Sequence, residues 1–452
     1  MKKLLIANRG EIAVRIIRTA REMGIATVAV VSEGDRGSNA ERLADESVVI
    51  GPAPAGLSYL NHEAILAAAA QTGADAIHPG YGFLSENAVF ARRVRDAGIT
   101  WVGPTPEAIE LMGDKSRARQ AAIEAGVPVL SGTDGALDTD GDIEAIADEI
   151  GYPLVVKASA GGGGRGIRRI ASREEVRSTV EVAQAEALAA FNSREVYFER
   201  FVTAARHVEV QIFGDGETWV HLGDRDCSMQ RRQQKVIEEA PAPGLPDELR
   251  QRMRDTSVEL ARQSAYVGAG TIEFLYDPQR QEVAFIEMNT RLQVEHPISE
   301  AITGIDLVRE QLRIASGEKL GYTQDDISFE GHAFEFRINA EDPENNFMPS
   351  PGRIEQLDLS GGPGVRADFG FSAGQTVVPF YDSLLGKLIV WAPDREQALA
   401  RAARALGEVE ISGIKSTVPL MRRLVALEDF AAAQHHTTYI ESVSGLLEGN
   451  AS

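Results

Sequence analysis

Residues 287–297 read EMNTRLQVEHP. In an extended strand side chains alternate between faces, which puts Glu287, Asn289, Arg291, Gln293 and Glu295 on one side and Met288, Leu292 and Val294 on the other. A polar row of this kind wastes burial unless every group finds a partner once it leaves water. A site that handles ions supplies those partners. The preceding residues extend the pattern: Thr271 to Tyr276 and Glu282 to Met288 read as an antiparallel hairpin around Asp277, Pro278 and Gln279, which brings Glu273 beside Glu287 on one face. Two like charges there are unfavourable without a cation between them. With the amide oxygen of Asn289 they form a hard oxygen set suited to Mg²⁺ or Mn²⁺ bridging nucleotide phosphates. Countercharge from Arg291 or Lys235 alone is the alternative.

Working outward, 452 residues exceed what one hydrophobic core usually supports, so two or three domains around a cleft are expected. The chain opens with an apolar strand, Lys3 to Ala7, a helix over Ile12 to Met23 stopped by Gly24, and a β-branched strand, Ala26 to Val31. This βαβ unit predicts a Rossmann-like α/β start. Its turn, NRGE, lacks the G-x-G-x-x-G fingerprint, which weakens a dinucleotide reading. Further elements are expected at Ser47 to Ile50 (strand), Tyr59 to Thr72 (helix), Ala76 to His78 (strand) and Phe90 to Ala97 (helix). The loop HPGYGFLSEN, His78 to Asn87, is either a tight βα turn or a cleft-facing loop at the carboxyl end of a parallel strand.

A second region opens near Lys115. GYPLVVKASAGGGGRGIRRI, Gly151 to Ile170, reads as strand, glycine loop and strand, with Lys157 beside the loop and Gly161, Gly162, Gly163, Gly164 and Gly166 freeing backbone N–H groups to converge on an anion. No Lys-Ser or Lys-Thr follows, so it is not a Walker A loop; with strands directly flanking it and Lys157 and Arg165 beside it, a flap over phosphates is expected, a flexible linker being the alternative. The next helix is expected from Ser172 with a capping box to Glu175. Arg206 to Ile212 alternates, placing His207, Glu209 and Gln211 opposite Val208, Val210 and Ile212. Asp224 to Pro241 concentrates Arg225, Arg231, Arg232 and Lys235; such a run reads as a solvated edge strand or as an anion-neutralising surface. Cys227 within it reads as a packed small side chain. Near the end, Gln397 to Leu406 and Val418 to Leu427 read as helices, and the tail after Ser442 as frayed.

The net charge of −21 argues against nucleic acid or an anionic membrane surface as the main partner. A single cysteine excludes an internal disulfide and fits a reducing compartment. MKKLLIANRGE has no signal-peptide pattern and no stretch is apolar enough for a membrane span, so a cytoplasmic protein is expected.

Across nearly its whole length the chain resembles biotin carboxylase, the ATP-grasp component of biotin-dependent carboxylases such as acetyl-CoA carboxylase. The resemblance rests on IANRGEIA, HPGYGFLSEN, LMGDK, KASAGGGGRG, RHVEVQ, EEAPAP, EMNTRLQVEHP, HAFEFRINAEDP and YDSLLGKL. It implies a Rossmann-like domain over residues 1–114, an ATP-grasp domain over 115–325 with a lid at about 131–202, and a C-terminal biotin carboxylase domain over 326–446. Carried over by motif, Lys115 and Lys157 hold the ATP phosphates under the Gly161 to Gly166 flap; Glu199 and Val202 hold adenine; His207, Gln230, Gln233 and Leu275 lie beside the nucleotide. Glu273, Glu287 and Asn289 ligate Mg²⁺ or Mn²⁺, Lys235, Arg291, Gln293 and Val294 form the bicarbonate pocket, and Glu295 is the general base. Arg337 steadies the biotin enolate, and Tyr81 belongs to the substrate side.

The implied chemistry runs through carboxyphosphate to N1-carboxybiotin. No Met-Lys-Met attachment sequence is present, so biotin is expected on a separate carrier protein, with a separate carboxyltransferase. Family members are commonly homodimers. The chain departs from the family at Gln233, where histidine is usual; glutamine can bond a phosphate but carries no charge. Two other readings compete: another ATP-grasp ligase, which would not need the Arg291, Gln293, Glu295 and Arg337 set, and an ATP-binding regulator, for which a damaged site is expected.

Overall fold

A computed structural model describes the chain except for residues 131, 134, 140, 159–166, 192, 444 and 448–452. Apolar strands buried at the centre and exposed at the β3 edge build the first sheet: β1 (Lys3–Ile6), β2 (Ala26–Val31), β3 (Glu46–Val49), β4 (Ala76–His78) and β5 (Thr100–Trp101) are parallel in the order β3-β2-β1-β4-β5. Helix α1 (Gly10–Glu22) buries Ile12, Ile16, Ile17 and Ala20 against it, and Gly24, at φ +72°, turns the chain into β2. The strand order reverses between β1 and β4, where ligands of open α/β sheets bind. The two loops there are tied together by Asn8, whose Nδ2 donates to the carbonyls of Pro79 and Tyr81, each at 2.7 Å. The cleft-facing reading of HPGYGFLSEN therefore holds: Glu86, in this loop, reaches the Thr290 N–H at 3.2 Å and Arg291 Nε at 2.9 Å. Two helices start later or earlier than expected, at His62 and Ala88, because Asn61 and Asn87 cap them.

The central region holds two sheets. β6 (Leu154–Ala158), β7 (Ile167–Ile170) and β8 (Val196–Arg200) form a small antiparallel sheet in the order β7-β6-β8. The strands expected around the glycine loop are present, while Gly161, Gly162, Gly163, Gly164 and Gly166 lie outside the described residues. The capping box at Ser172 does not form: its hydroxyl donates to Glu174 at 2.6 Å, and Glu175 instead accepts from the Ala171 N–H, leaving a 3₁₀ turn over Arg173–Glu175 before the helix Val176–Phe191.

The large sheet is antiparallel and has eight strands. β9 (Arg206–Asp215), β10 (Trp219–Arg231), β11 (Gln234–Ala240), β12 (Val267–Asp277), β13 (Glu282–Asn289), β14 (His332–Asn339), β15 (Val365–Phe369) and β16 (Leu384–Ala392) run in the order β13-β12-β9-β10-β11-β14-β16-β15. It passes unbroken from the central region into the C-terminal one through the β11–β14 ladder. Asp224 to Pro241 is thus no solvated edge strand: β10 and β11 sit mid-sheet and are buried along most of their length, so their charges must pair inside the protein.

The strand expected over residues 287–297 also ends early, at Asn289. Residues 290–295 leave the ladder and lead into the helix His296–Thr303, whose first turn tolerates Pro297 and its missing N–H. Arg291, Gln293 and Glu295 therefore gather by a turn and not by strand alternation. Toward the end of the chain, the expected helices occur at Arg395–Glu408 and Val418–Val425, and Leu446 is buried in the C-terminal core instead of fraying.

Gly370 marks the contact of the C-terminal region with α1: a Cβ there would stand 2.5 Å from the Glu11 backbone nitrogen. Gly370→Ala is expected to lower stability by about 1–3 kcal/mol, as overpacking against fixed backbone does, with a matching fall in the urea midpoint.

Candidate active site

The β12–β13 ladder pairs Glu273 with Glu287, as the hairpin reading requires, and an irregularity in register follows between Glu273 and Phe274. Glu273 is buried and heavily shared. Its Oε1 accepts from Asn289 Nδ2 at 2.9 Å, Gln293 Nε2 at 2.8 Å and Lys235 Nζ at 3.2 Å, while Oε2 lies 3.2 Å from His207 Nε2. Glu287 differs: among the described residues no cation forms an ion pair with it, and burial, then the facing Glu273 charge, push its carboxyl up from the usual range. This oxygen set, with the Asn289 amide, fits a hard divalent cation. Lys115 is exposed at the N-terminus of the helix Lys115–Glu124, and its charge lowers the Glu287 pKa.

Lys235 Nζ is the hub of the neighbouring cluster, at 2.7 Å from Glu209 Oε2 and 2.5 Å from Glu295 Oε1. Arg337, from β14, places Nη2 3.0 Å from the other Glu295 oxygen and donates from Nε to Glu238 at 2.5 Å. Burial alone would raise the Glu295 pKa; Lys235, Arg337 and Arg225 outweigh it and hold the carboxyl well below the ordinary range. Behind this pair lies Arg225, fully buried, whose guanidinium donates to Glu209 (2.6 Å), Gln211 (2.6 Å), Ser299 (2.9 Å) and Gln293 Oε1 (2.7 Å). Gln293 is thereby fixed at both ends, its oxygen by Arg225 and its nitrogen by Glu273. Arg291 bonds Glu86 and, at 2.9 Å, the Asn289 side-chain oxygen.

The other expected site residues are placed as follows. Lys157 and Glu199 form an ion pair with each other on the small sheet, and no hydrogen bond links either to the Glu273 cluster among the described residues. Val202 follows β8, and Leu275 is the ladder partner of His207. Gln230 pairs with Lys235 across β10 and β11, whereas Gln233, at φ +66°, is exposed in the turn joining these strands. Val294 offers its carbonyl to Lys387 at 2.6 Å, and the Tyr81 hydroxyl donates to Glu11.

Sequence reasoning missed Glu86, Glu209, Arg225 and Glu238 as members of the site. Glu209 was visible on the polar face of β9. Glu238 was not: between Met229↔Ile237 and Gln230↔Lys235, β11 uses one more residue than β10, and this bulge at Val236 turns Lys235 and Glu238, three apart, toward one site.

Three family models match. Residues 1–109 match "Biotin carboxylase, N-terminal domain", residues 114–323 "Carbamoyl-phosphate synthase L chain, ATP binding domain", and residues 335–442 "Biotin carboxylase C-terminal domain". A biotin carboxylase of Pseudomonas aeruginosa is 53% identical over 448 residues, 99% of each chain. The chain belongs to the biotin carboxylase family. Among solved structures, a biotin carboxylase from Campylobacter jejuni described as a β-γ-ATP complex superposes with a TM-score of 0.89 at 45% identity, covering 97% of this chain and 98% of that one. The biotin carboxylase domain of the Hydrogenobacter thermophilus 2-oxoglutarate carboxylase, a dimer described with MgADP, ADP and bicarbonate, gives 0.88 at 47% identity, covering 99% and 98%. The ATP-binding match is shared with carbamoyl-phosphate synthases, so the flanking biotin carboxylase domains separate the two ligase readings.

Within this biotin carboxylase site, Glu238 has an unusual protonation. Burial, opposed by Arg337, pushes its pKa up to about 7. The folded chain then holds this proton more tightly than the unfolded chain, where a glutamate titrates near ~4.3. The stabilisation from the protonated form is complete below that value and is lost as pH rises through 7. Relative to Glu238→Gln, the wild-type urea midpoint is expected to fall between pH 5 and pH 8.

Proposed function

We propose that the chain catalyses the ATP-dependent carboxylation of biotin with bicarbonate, giving N1-carboxybiotin, ADP and phosphate. The observation that carries this reading is the Glu295 carboxylate bracketed by two cations, Lys235 at 2.5 Å and Arg337 at 3.0 Å, on opposite oxygens.

Glu273, Glu287 and Asn289 are the residues for Mg²⁺ or Mn²⁺; such an ion screens charge on the transferring phosphoryl group. Lys115 and Lys157 bind the ATP phosphates, the Gly161 to Gly166 flap covers them, and Glu199, Val202, His207, Gln230 and Leu275 line the nucleotide side. Bicarbonate binds at Lys235, Arg291, Gln293 and Val294. With both oxygens on cations, Glu295 is a weak base in the free enzyme. Bicarbonate gives Lys235 and Arg337 a second anion to neutralise, which returns basicity to Glu295 as it takes the bicarbonate proton. The deprotonated oxygen attacks the γ-phosphorus, ADP leaves, and carboxyphosphate results. Its breakdown gives CO₂ and phosphate; the phosphate takes the ureido N1 proton, and Arg337 holds the enolate oxyanion while N1 attacks CO₂. Tyr81 stands on the biotin side.

The product passes on a separate biotin carrier protein to a carboxyltransferase, in a cytoplasmic homodimer. The single cysteine fits that compartment, and no helix among the described residues is long and apolar enough to cross a membrane. The domain boundaries proposed remain 1–114, 115–325 and 326–446, the large sheet crossing the last of them.

ATP hydrolysis by the purified chain should require bicarbonate and rise with free biotin; bicarbonate-independent hydrolysis would remove this reading. Arg337→Ala should lower biotin carboxylation about 100- to 1,000-fold, the scale of losing one oxyanion donor. At Gln233, histidine can add charge, so Gln233→His should lower the KM for ATP; unchanged kinetics would show that the turn lies off the nucleotide.

A further inference from the structure

Two motifs remain without a role in this chemistry, the IANRGEIA that opens α1 and the YDSLLGKL that opens β16. They meet at one buried cation. Lys387 is 0% exposed and is the ladder partner of Arg337 across β14 and β16. Its ammonium donates to the Val294 carbonyl at 2.6 Å and lies 3.2 Å from Glu11 Oε1, the oxygen that also accepts the Tyr81 hydroxyl.

An ammonium withdrawn from water this completely is costly unless its partners compensate. Burial alone would lower the Lys387 pKa; Glu11, then Glu335 and Asp368, outweigh it, so the group stays charged. The neighbouring Glu335 is itself fully buried, and neither of its oxygens has a hydrogen-bond partner among the described residues. Core packing does not call for this arrangement, because an uncharged side chain of lysine's length would fill the same volume without desolvating an ammonium. What the ammonium alone supplies is a fixed link between three parts of the chain. Residues 290–295 have left the β13 ladder and the next helix begins only at His296, so no sheet register fixes that turn. Side-chain anchors do so instead: Glu86 at the Thr290 N–H, His296 Nδ1 at the Gln293 carbonyl (2.7 Å), and Lys387 at the carbonyl between Gln293 and Glu295.

We propose that Lys387 is a positioning residue for the carboxylation. It holds the turn that carries Gln293 and Glu295 against Arg337 and, through Glu11, holds the Tyr81 hydroxyl on the biotin side of the same site. The bicarbonate and biotin ends are thus set by one cation. This rests on the roles given above to Glu295, Arg337 and Tyr81.

The test is Lys387→Met, which keeps the length and removes the charge, compared with wild type in bicarbonate-dependent ATP hydrolysis and in carboxylation of free biotin. A misplaced turn should lower kcat about 100-fold, the scale of an ångström's displacement, and raise the KM for bicarbonate while the KM for ATP stays within about twofold. A purely structural lysine would instead lower the thermal midpoint and the fraction of active enzyme, leaving kcat per active site and every KM unchanged; that result overturns the proposal. Should Lys387→Met fail to fold, Glu11→Gln decides, because it keeps size and replaces the carboxylate that holds both Lys387 and the Tyr81 hydroxyl with a weaker, neutral acceptor: an approximately tenfold rise in the KM for biotin supports the link and an unchanged KM refutes it. Wild-type enzyme lacking bicarbonate-dependent hydrolysis would overturn the functional reading itself, an outcome separate from either variant.

Discussion

The Lys235 ammonium sits among three carboxylates, those of Glu209, Glu273 and Glu295, in a largely buried cluster. Three anions and one cation do not balance, and the interior would reject them if Lys235 acted alone. Arg225 and Arg337 supply the remaining positive charge from either side. The result is a buried region whose charges are held close to balance by strands from different parts of the chain. In the proposed reaction, bicarbonate and an ion at Glu273 and Glu287 would enter that balance as additional members, so each group's proton affinity would depend on what its neighbours bind.

Such a cluster needs a rigid support, and the eight-stranded sheet provides it. Lys235 and Glu238 from β11, Glu209 from β9, Glu273 from β12 and Arg337 from β14 are all fixed by ladders of the same sheet. Because β11 and β14 pair directly, the distance between Lys235 and Arg337 is set by strand spacing and not by a hinge. The exception is the turn over residues 290–295, which carries Gln293 and Glu295 off the ladder and depends on side chains brought from the loop after β4 and from β16. Glu295 gains from this freedom, since a residue locked in strand alternation could not meet both Lys235 and Arg337.

Much of this was readable in advance where local pattern and tertiary role agree. The βαβ opening and the hairpin that sets Glu273 against Glu287 both follow from side-chain periodicity, and both formed. Family motifs supplied the expected ion-handling residues individually. Periodicity misled where the backbone departs from it. The bulge at Val236 concealed Glu238, and the strand expected over residues 287–297 stopped at Asn289. Burial was misjudged for β10 and β11, since charged residues in a central strand look from sequence like those of an exposed edge.

The sequence by itself determined the kinds of chemistry available: paired carboxylates, lysines beside a glycine run, a single cysteine and a strongly acidic net charge. These depend on composition and short-range spacing, which survive without knowledge of the fold. Only the tertiary structure decided which charges answer one another. Arg337 meets Glu238 and Glu295, Arg291 meets Glu86, and Lys387 meets Glu11, across separations of 42 to over 300 residues. Ion pairing acts through space at a few ångströms, and chain separation carries no record of it.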